Sequence, residues 1–294
     1  MNKEDRVLRK IRHVEYKTKK LVNALVLGNY RAVMKGQGMT FSDFREYVPG
    51  DDVRNISWSL IAKTNKPYVK QYEEERELNA YFLVDTNITM FQGSKEYLKM
   101  EQALYSVAAL AMAAQKSNDL SGLILYSNVM KDFIPAKKGK VHIRRLISEI
   151  INAEPESGTA QGLVESCEML LKHQKKRSII FIFSDFLNIA QAKIALQSLT
   201  KKHQVIACVL TEETEGSLQD FGTMRFVNFD QTESEIMNGG FAPAKSLFTK
   251  FYKEKRQTRD KILGASGLDV IHLSSQSDIY KPILKYFKTR AKRA

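Results

Sequence analysis

Asp85, Asn87 and Thr89 stand at every second position of one stretch, Glu77-Leu78-Asn79-Ala80-Tyr81-Phe82-Leu83-Val84-Asp85-Thr86-Asn87-Ile88-Thr89-Met90. A tight loop can turn all three side chains toward one point. A carboxylate with an amide and a hydroxyl oxygen makes a hard, oxygen-only donor set, of the kind Mg²⁺ takes while keeping several waters. A second stretch, Arg177-Ser178-Ile179-Ile180-Phe181-Ile182-Phe183-Ser184-Asp185, also closes an apolar run on an acid. The plainer reading of either aspartate alone is a cap on the following helix, where its oxygen satisfies free N–H groups. For the pair, with Asn87 and Thr89 beside the first acid, a shared divalent-cation site is the stronger reading.

The elements that must position these residues are legible from hydrophobic patterning. The run before Asp85 carries no charge, as in a strand buried on both faces of a parallel sheet. Ligands in open α/β sheets sit at the C-terminal ends of such strands. Beyond Thr89 helix and strand alternate: helices over 95–116, 141–152, 159–173, 190–202, 243–263 and 277–288, and strands over 121–127, 179–184, 205–210 and 269–273. Asp132-Phe133-Ile134-Pro135 reads as an edge strand, because its proline cannot donate to a ladder. Residues 225–230 read as one strand of a local hairpin, and Thr159 as the N-cap of its helix. This pattern predicts an α/β fold with a doubly wound, mostly parallel sheet over 77–294, interrupted at about 211–264 by a hairpin and a long helix.

Residues 1–76 read as a separate N-terminal portion. An amphipathic helix over 3–27 carries the stripe Val7, Leu8, Ile11, Val14, Leu21 and Leu25, with Lys and Arg on the other faces. Such a helix lies on a membrane surface or, more commonly, packs its stripe on its own protein. After it comes a small β and loop segment with a turn at Pro49-Gly50 and a strand at 67–72. Asp51 and Asp52 lie close in sequence to Arg45 and Arg54, and bidentate pairing would hold the turn rigid. The structural reading is an ion network with Trp58, the single tryptophan, in a core. If that network is buried, Arg54→Ala costs about 3–5 kcal/mol, because an unpaired acid remains.

Composition is that of a soluble globular chain with a net charge of +13. The two cysteines, Cys167 and Cys208, form no close pair, which points to a reducing compartment. The five histidines lack zinc-like spacing, and His173 and His203 each end a helix, where a dipole contact is the ordinary role. No apolar run reaches membrane-spanning length, and the first residues lack the apolar core of a signal peptide, so a cytoplasmic location is the default expectation. The basic excess suits nucleic acid, an anionic membrane surface or an acidic protein. Without aromatic-interleaved basic motifs, nucleic acid is the least favoured of these.

Two resemblances sharpen the reading. The sheet portion resembles a von Willebrand factor A domain, whose metal-ion-dependent adhesion site uses an Asp-x-Ser-x-Ser loop, a later threonine and an aspartate after the fourth strand. Here the matching positions are Asp85, Asn87 and Thr89, then Thr159 in Ser157-Gly158-Thr159, then Asp185. The upstream segment resembles the signature of the domain-of-unknown-function 58 family, encoded beside MoxR-type AAA+ ATPases. It carries Gly36-x-Gly38, Phe41, Asp43, Arg45-Glu46-Tyr47, Gly50-Asp51-Asp52, Arg54, Ile56, Trp58, Tyr68-Val69-Lys70 and Glu74-Glu75-Arg76-Glu77. Met39 and Ser57 replace acids of that signature. Asn87 replaces the first loop serine and moves the donor atom, a change that weakens the Mg²⁺ site or removes it.

The resemblance implies a non-catalytic adaptor that works with a MoxR-type ATPase in chaperone-like remodelling or maturation of a client protein. An enzymatic alternative exists. Asp85-x-Asn87-x-Thr89 also resembles the Asp-x-Asp-x-Thr loop of haloacid-dehalogenase-type phosphatases, but Asn87 cannot shuttle the proton that the second acid moves there. A basic nucleic-acid or membrane-surface module is the third reading.

Overall fold

A computed structural model describes residues 3–27, 40–64, 66–73, 77–93, 97–157, 160–212, 215, 223–227, 234–238, 242–274, 278 and 280–291. The chain divides into two compact units, one of residues 1–33 with 79–294 and one of residues 34–78. The N-terminal helix α1 (Lys3–Leu27) therefore belongs with the sheet, and not with the segment that follows it in sequence.

The smaller unit pairs β1 (Thr40–Glu46) antiparallel with β2 (Tyr68–Glu73), and between them lies a short helix, α2 (Trp58–Thr64). Gly50 holds φ at +111°, a conformation only glycine adopts without strain, and so turns the chain after Pro49. Arg45 pairs with Asp51 at 2.6 Å and Arg54 with Asp52 at 3.2 Å, as the spacing predicts. These are two separate pairs at the surface, not one buried network. Trp58 is 72% exposed, which corrects the expectation that it sits in a core.

The larger unit is built on six strands: β3 (Asn79–Asp85), β4 (Leu120–Tyr126), β5 (Met130–Lys137), β6 (Ile179–Ser184), β7 (Gln204–Thr211) and β10 (Asp269–Ser274). Their order is β10-β7-β6-β3-β4-β5, and every neighbouring pair is parallel except β4 with β5. Numbered within the sheet this is the 3-2-1-4-5-6 order of doubly wound folds. The Pro135-bearing strand is the antiparallel edge, where a missing N–H leaves no ladder bond unmade. The expected hairpin is also present, as β8 (Thr223–Val227) against β9 (Ser234–Asn238).

Helices cover both faces. On one, α5 (Gln161–His173), α6 (Lys193–Lys202) and α7 (Ala242–Ala265) bring Leu163, Leu170, Leu196, Leu199 and Leu263 onto Leu83, Ile124, Ile180 and Ala207. On the other lie α3 (Lys99–Lys116), α4 (Lys140–Ile151) and α8 (Tyr280–Ala291), with Phe82, Phe181 and Phe287 in ring contact. The helix α1 packs over α3, α4 and α8, tied by Arg144 to Glu15 at 2.8 Å and by Lys116 to Asn23 at 2.9 Å. Ile11, Val14, Leu21 and Leu25 of its stripe are buried, whereas Leu8 is 51% exposed. An apolar stripe used in this way is not available to a membrane surface.

Candidate functional site

In this strand order the chain direction across the sheet reverses between β3 and β6, which opens a crevice beyond their C-terminal ends. The two aspartates that close the apolar runs, Asp85 and Asp185, lie at that crevice. Both strands are buried on both faces, so the first polar residues emerge only where the sheet stops. Each aspartate bends its own chain: Asp85 Oδ1 accepts from Asn87 N at 2.9 Å, and Asp185 Oδ1 from Leu187 N at 3.2 Å. These are Asx-type turns leading into short 3₁₀ segments whose N-cap positions are Asn87 and Asn188, so neither aspartate is the helix cap that the plainer reading expects. Phe186 adopts φ +55°, a left-handed conformation that costs a bulky residue on the order of 1–3 kcal/mol. Its N–H donates to Ser184 Oγ at 2.9 Å.

Asp85, Asn87, Thr89 and Asp185 line one cavity of about 30 Å³, with Ile88, Ala160, Ser184 and Asn188. Thr159, the fifth expected ligand, lies outside the described residues. The helix after it begins at Gln161 with Ala160 at the N-cap position and no side-chain cap, which corrects the expectation of an N-cap at residue 159. Gly162 permits the close approach of that helix, since a Cβ there would stand 2.4 Å from the Ser127 carbonyl oxygen. The preceding loop joins the Asp85 loop through Ile88 N to Glu156 O, 2.8 Å, and Glu156 N to Thr86 O, 3.2 Å.

The two carboxylates differ sharply. Asp85 Oδ1 also accepts from Asn87 Nδ2 at 2.7 Å, and Oδ2 from Ser184 Oγ at 2.6 Å. Burial pushes its carboxyl up to about 7, and the charge of Asp185 adds to the shift against the bonds from Ser184 and Asn87. Burial acts on Asp185 in the same direction. There the charge of Lys99 outweighs it, with hydrogen bonds from Thr89, Lys99 and Leu187 N, and the carboxyl lies below its usual range.

Lys99 is the residue that sequence reasoning missed. Its Nζ donates to Asp185 Oδ2 at 3.0 Å and to Glu215 Oε1, and none of its side chain reaches solvent. It occupies the first position of α3, where the helix dipole opposes a cation. Burial alone would lower its pKa; the charges of Asp185 and Glu215 overcome that and raise it. From α7, Arg256 donates to the Glu215 carbonyl at 2.9 Å and lies 3.5 Å from its carboxylate, while Arg259 donates to the Asp185 carbonyl at 3.4 Å. No spacing rule links residues so far apart in sequence. Ser184, beside Asp185, was the one partner a reader could have taken from the strand itself.

The donors are oxygens, as a hard cation requires, and Asn87 Oδ1 is buried with no partner. Yet all four carboxylate oxygens of Asp85 and Asp185 already have protein donors, and a positive charge already faces Asp185. Among the described residues, no group of three or more His, Cys, Asp or Glu side chains is placed to hold a metal. As they stand, these residues do not fit a resident divalent ion. A phosphatase nucleophile fits no better, because Asp85 is buried and hydrogen-bonded on both oxygens and Asn87 is no acid.

The six-stranded doubly wound sheet, with acids ending its first and fourth strands, has the fold expected from the resemblance to von Willebrand factor A domains. The chain belongs to the family described as protein of unknown function DUF58, whose profile matches residues 43–258. An uncharacterised protein of Mycobacterium tuberculosis is 22% identical over 286 residues, spanning 97% of this chain and 90% of the relative. An uncharacterised Mycobacterium bovis protein matches to the same extent. Among solved structures, the conserved hypothetical protein BatB from Bacteroides thetaiotaomicron is similar with a TM-score of 0.47 and 11% identity, over 73% of this chain and 99% of that one. The SpRpn10 VWA domain is similar with a TM-score of 0.37 and 8% identity, over 74% and 95%.

Proposed function

We propose that this chain is a non-catalytic protein-interaction module that engages a MoxR-type AAA+ ATPase and acts with it on a client protein, in remodelling or maturation. The sheet edge at Asp85 and Asp185 is its docking site. The observation that carries the reading is the cavity there. At about 30 Å³ it accepts one or two water-sized groups, whereas pockets that enclose a small-molecule substrate are on the order of 300–1,000 Å³. A buried polar point with Ile88, 40% exposed, at its rim suits a single side chain of a partner. Among the described residues no helix is long and apolar enough to cross a membrane.

Capture of the co-expressed ATPase by tagged protein tests this. Wild type should retain the ATPase, Ile88→Arg should lose it, and Trp58→Ala should keep it. Loss in Trp58→Ala alone would move the docking site to residues 34–78, and capture of no ATPase by the wild type would sink the reading.

The rival form of this proposal is a Mg²⁺-dependent edge, in which Asp85, Asn87, Thr89, Thr159 and Asp185 share the ion. The unpartnered Asn87 Oδ1 is the observation that favours it.

A further inference from the structure

We propose that the ammonium group of Lys99 is the resident cation of the sheet edge, in place of a divalent ion, and that Glu215 is its second carboxylate. The inference deepens the reading of this edge as an interaction site and rests on that reading for the site's purpose.

Position argues first. Lys99 Nζ bridges the carboxylate that ends β6 and the Glu215 carboxylate beyond β7, with side-chain exposures of 0%, 5% and 6% for Lys99, Asp185 and Glu215. A fully buried ammonium at a helix N-terminus is opposed both by desolvation and by the dipole. It persists only where acids are committed to it, and here two are. Charge argues second. Asp185 and Glu215 bring two negative charges to the edge, and Lys99 and Arg256 return two positive ones, so the cluster balances without a divalent ion. A divalent ion on Asp185 would face the ammonium in a site shielded from water, where like charges repel strongly.

The behaviour of Asn87 agrees with this. Its amide N–H group donates to Asp85 Oδ1 at 2.7 Å, which fills a lone-pair direction that a metal would use. A tethered cation also differs from a bound one in consequence: it cannot dissociate or be chelated. The edge then keeps its charge whatever the metal supply, and docking becomes independent of Mg²⁺.

The test is a Mn²⁺ titration of the full chain, read by loss of the free-ion electron paramagnetic resonance signal and by melting temperature, without any partner. Wild type should show no saturable binding at millimolar Mn²⁺ and no shift in melting on adding EDTA. The double variant Lys99→Gln with Glu215→Gln, which leaves Asp185 without its cation, should take up a single Mn²⁺ per chain and melt higher with it. Stoichiometric binding to wild type, lost in Asp85→Asn, would overturn the proposal. So would a folded double variant that stays blind to Mn²⁺. If the double variant folds only when Mn²⁺ is supplied, that rescue counts as binding. If it does not fold at all, the wild-type titration decides alone, silence supporting the proposal and saturable binding overturning it. Failure to capture an ATPase would leave these outcomes unchanged, so the two readings fail separately.

Discussion

The molecule holds two sets of ion pairs with similar geometry and different weight. At the sheet edge Lys99 meets Asp185 at 3.0 Å with side chains 0% and 5% exposed. In the turn of the smaller unit Arg45 meets Asp51 at 2.6 Å and Arg54 meets Asp52 at 3.2 Å, with exposures of 43% and 19%, then 87% and 45%. Arg45 to Asp51, partly in water, is shorter than Lys99 to Asp185, which is dry. Distance therefore does not rank them. Water does: it screens the turn pairs and would hydrate either partner left alone, whereas a lone charge at the sheet edge has nothing to replace its partner.

The largest expected effect follows from that difference. Lys99→Ala strands Asp185 in a dry site and leaves Glu215 with Arg256 alone, and should cost about 3–5 kcal/mol in urea unfolding. A loss within error would erase the distinction between the two sets.

The pH response comes next, and its sign separates the regions. The folded-state pKa of Asp85 is raised from an ordinary value near 3.8 to about 7. Between those values the folded chain holds a proton that the unfolded chain has released, so the stabilisation from this group is full below about pH 4 and is lost as pH rises through about 7. Asp85→Asn should remove this dependence, so that the stability of wild type relative to the variant falls from pH 4 to pH 8. Asp51 behaves oppositely. The hydrogen bond from Arg45 lowers its pKa, so its contribution is present above the unfolded value and lost in acid. Asp51→Asn should therefore matter at neutral pH and not at low pH. Parallel slopes for the two variants would contradict this assignment.

Smaller still is Arg54→Ala. With the network exposed, the midpoint of urea unfolding should not move measurably, and added salt should change it no further. A loss of the size expected for a buried network would show that the turn is covered in solution. The gentlest probe is Trp58 itself. At 72% exposure its fluorescence should resemble that of tryptophan in water and be readily quenched by iodide. A blue-shifted, protected emission would place it in a core after all.

Much of this was legible in the chain. Strands β3 and β6 announce themselves as uncharged runs ending on acids, and a residue at the end of a buried strand has nowhere to go but the sheet edge. Pro135 marks its strand as an edge by chemistry alone, and Pro49-Gly50 marks its turn. The arginine and acid partners of the turn were also readable, because pairs six and two residues apart meet locally. What patterning could not give was depth. Trp58 and Leu8 are large and apolar, and the local pattern placed both inside; neighbours distant in sequence left both exposed.

The sequence by itself determined which residues alternate, which runs must be buried and which acids end them, because these depend on periods of two and of 3.6 residues along one segment. Only the tertiary structure decided what those acids face. Lys99 reads in sequence as one more lysine on a helix, and Glu215 as one acid of a polar stretch. Their meeting at Asp185 spans separations of 86 and 116 residues from Lys99 to its two partners, and depends on the order in which the strands assemble. Charge and burial at a point in space are properties of everything packed around it, so no local pattern carries them.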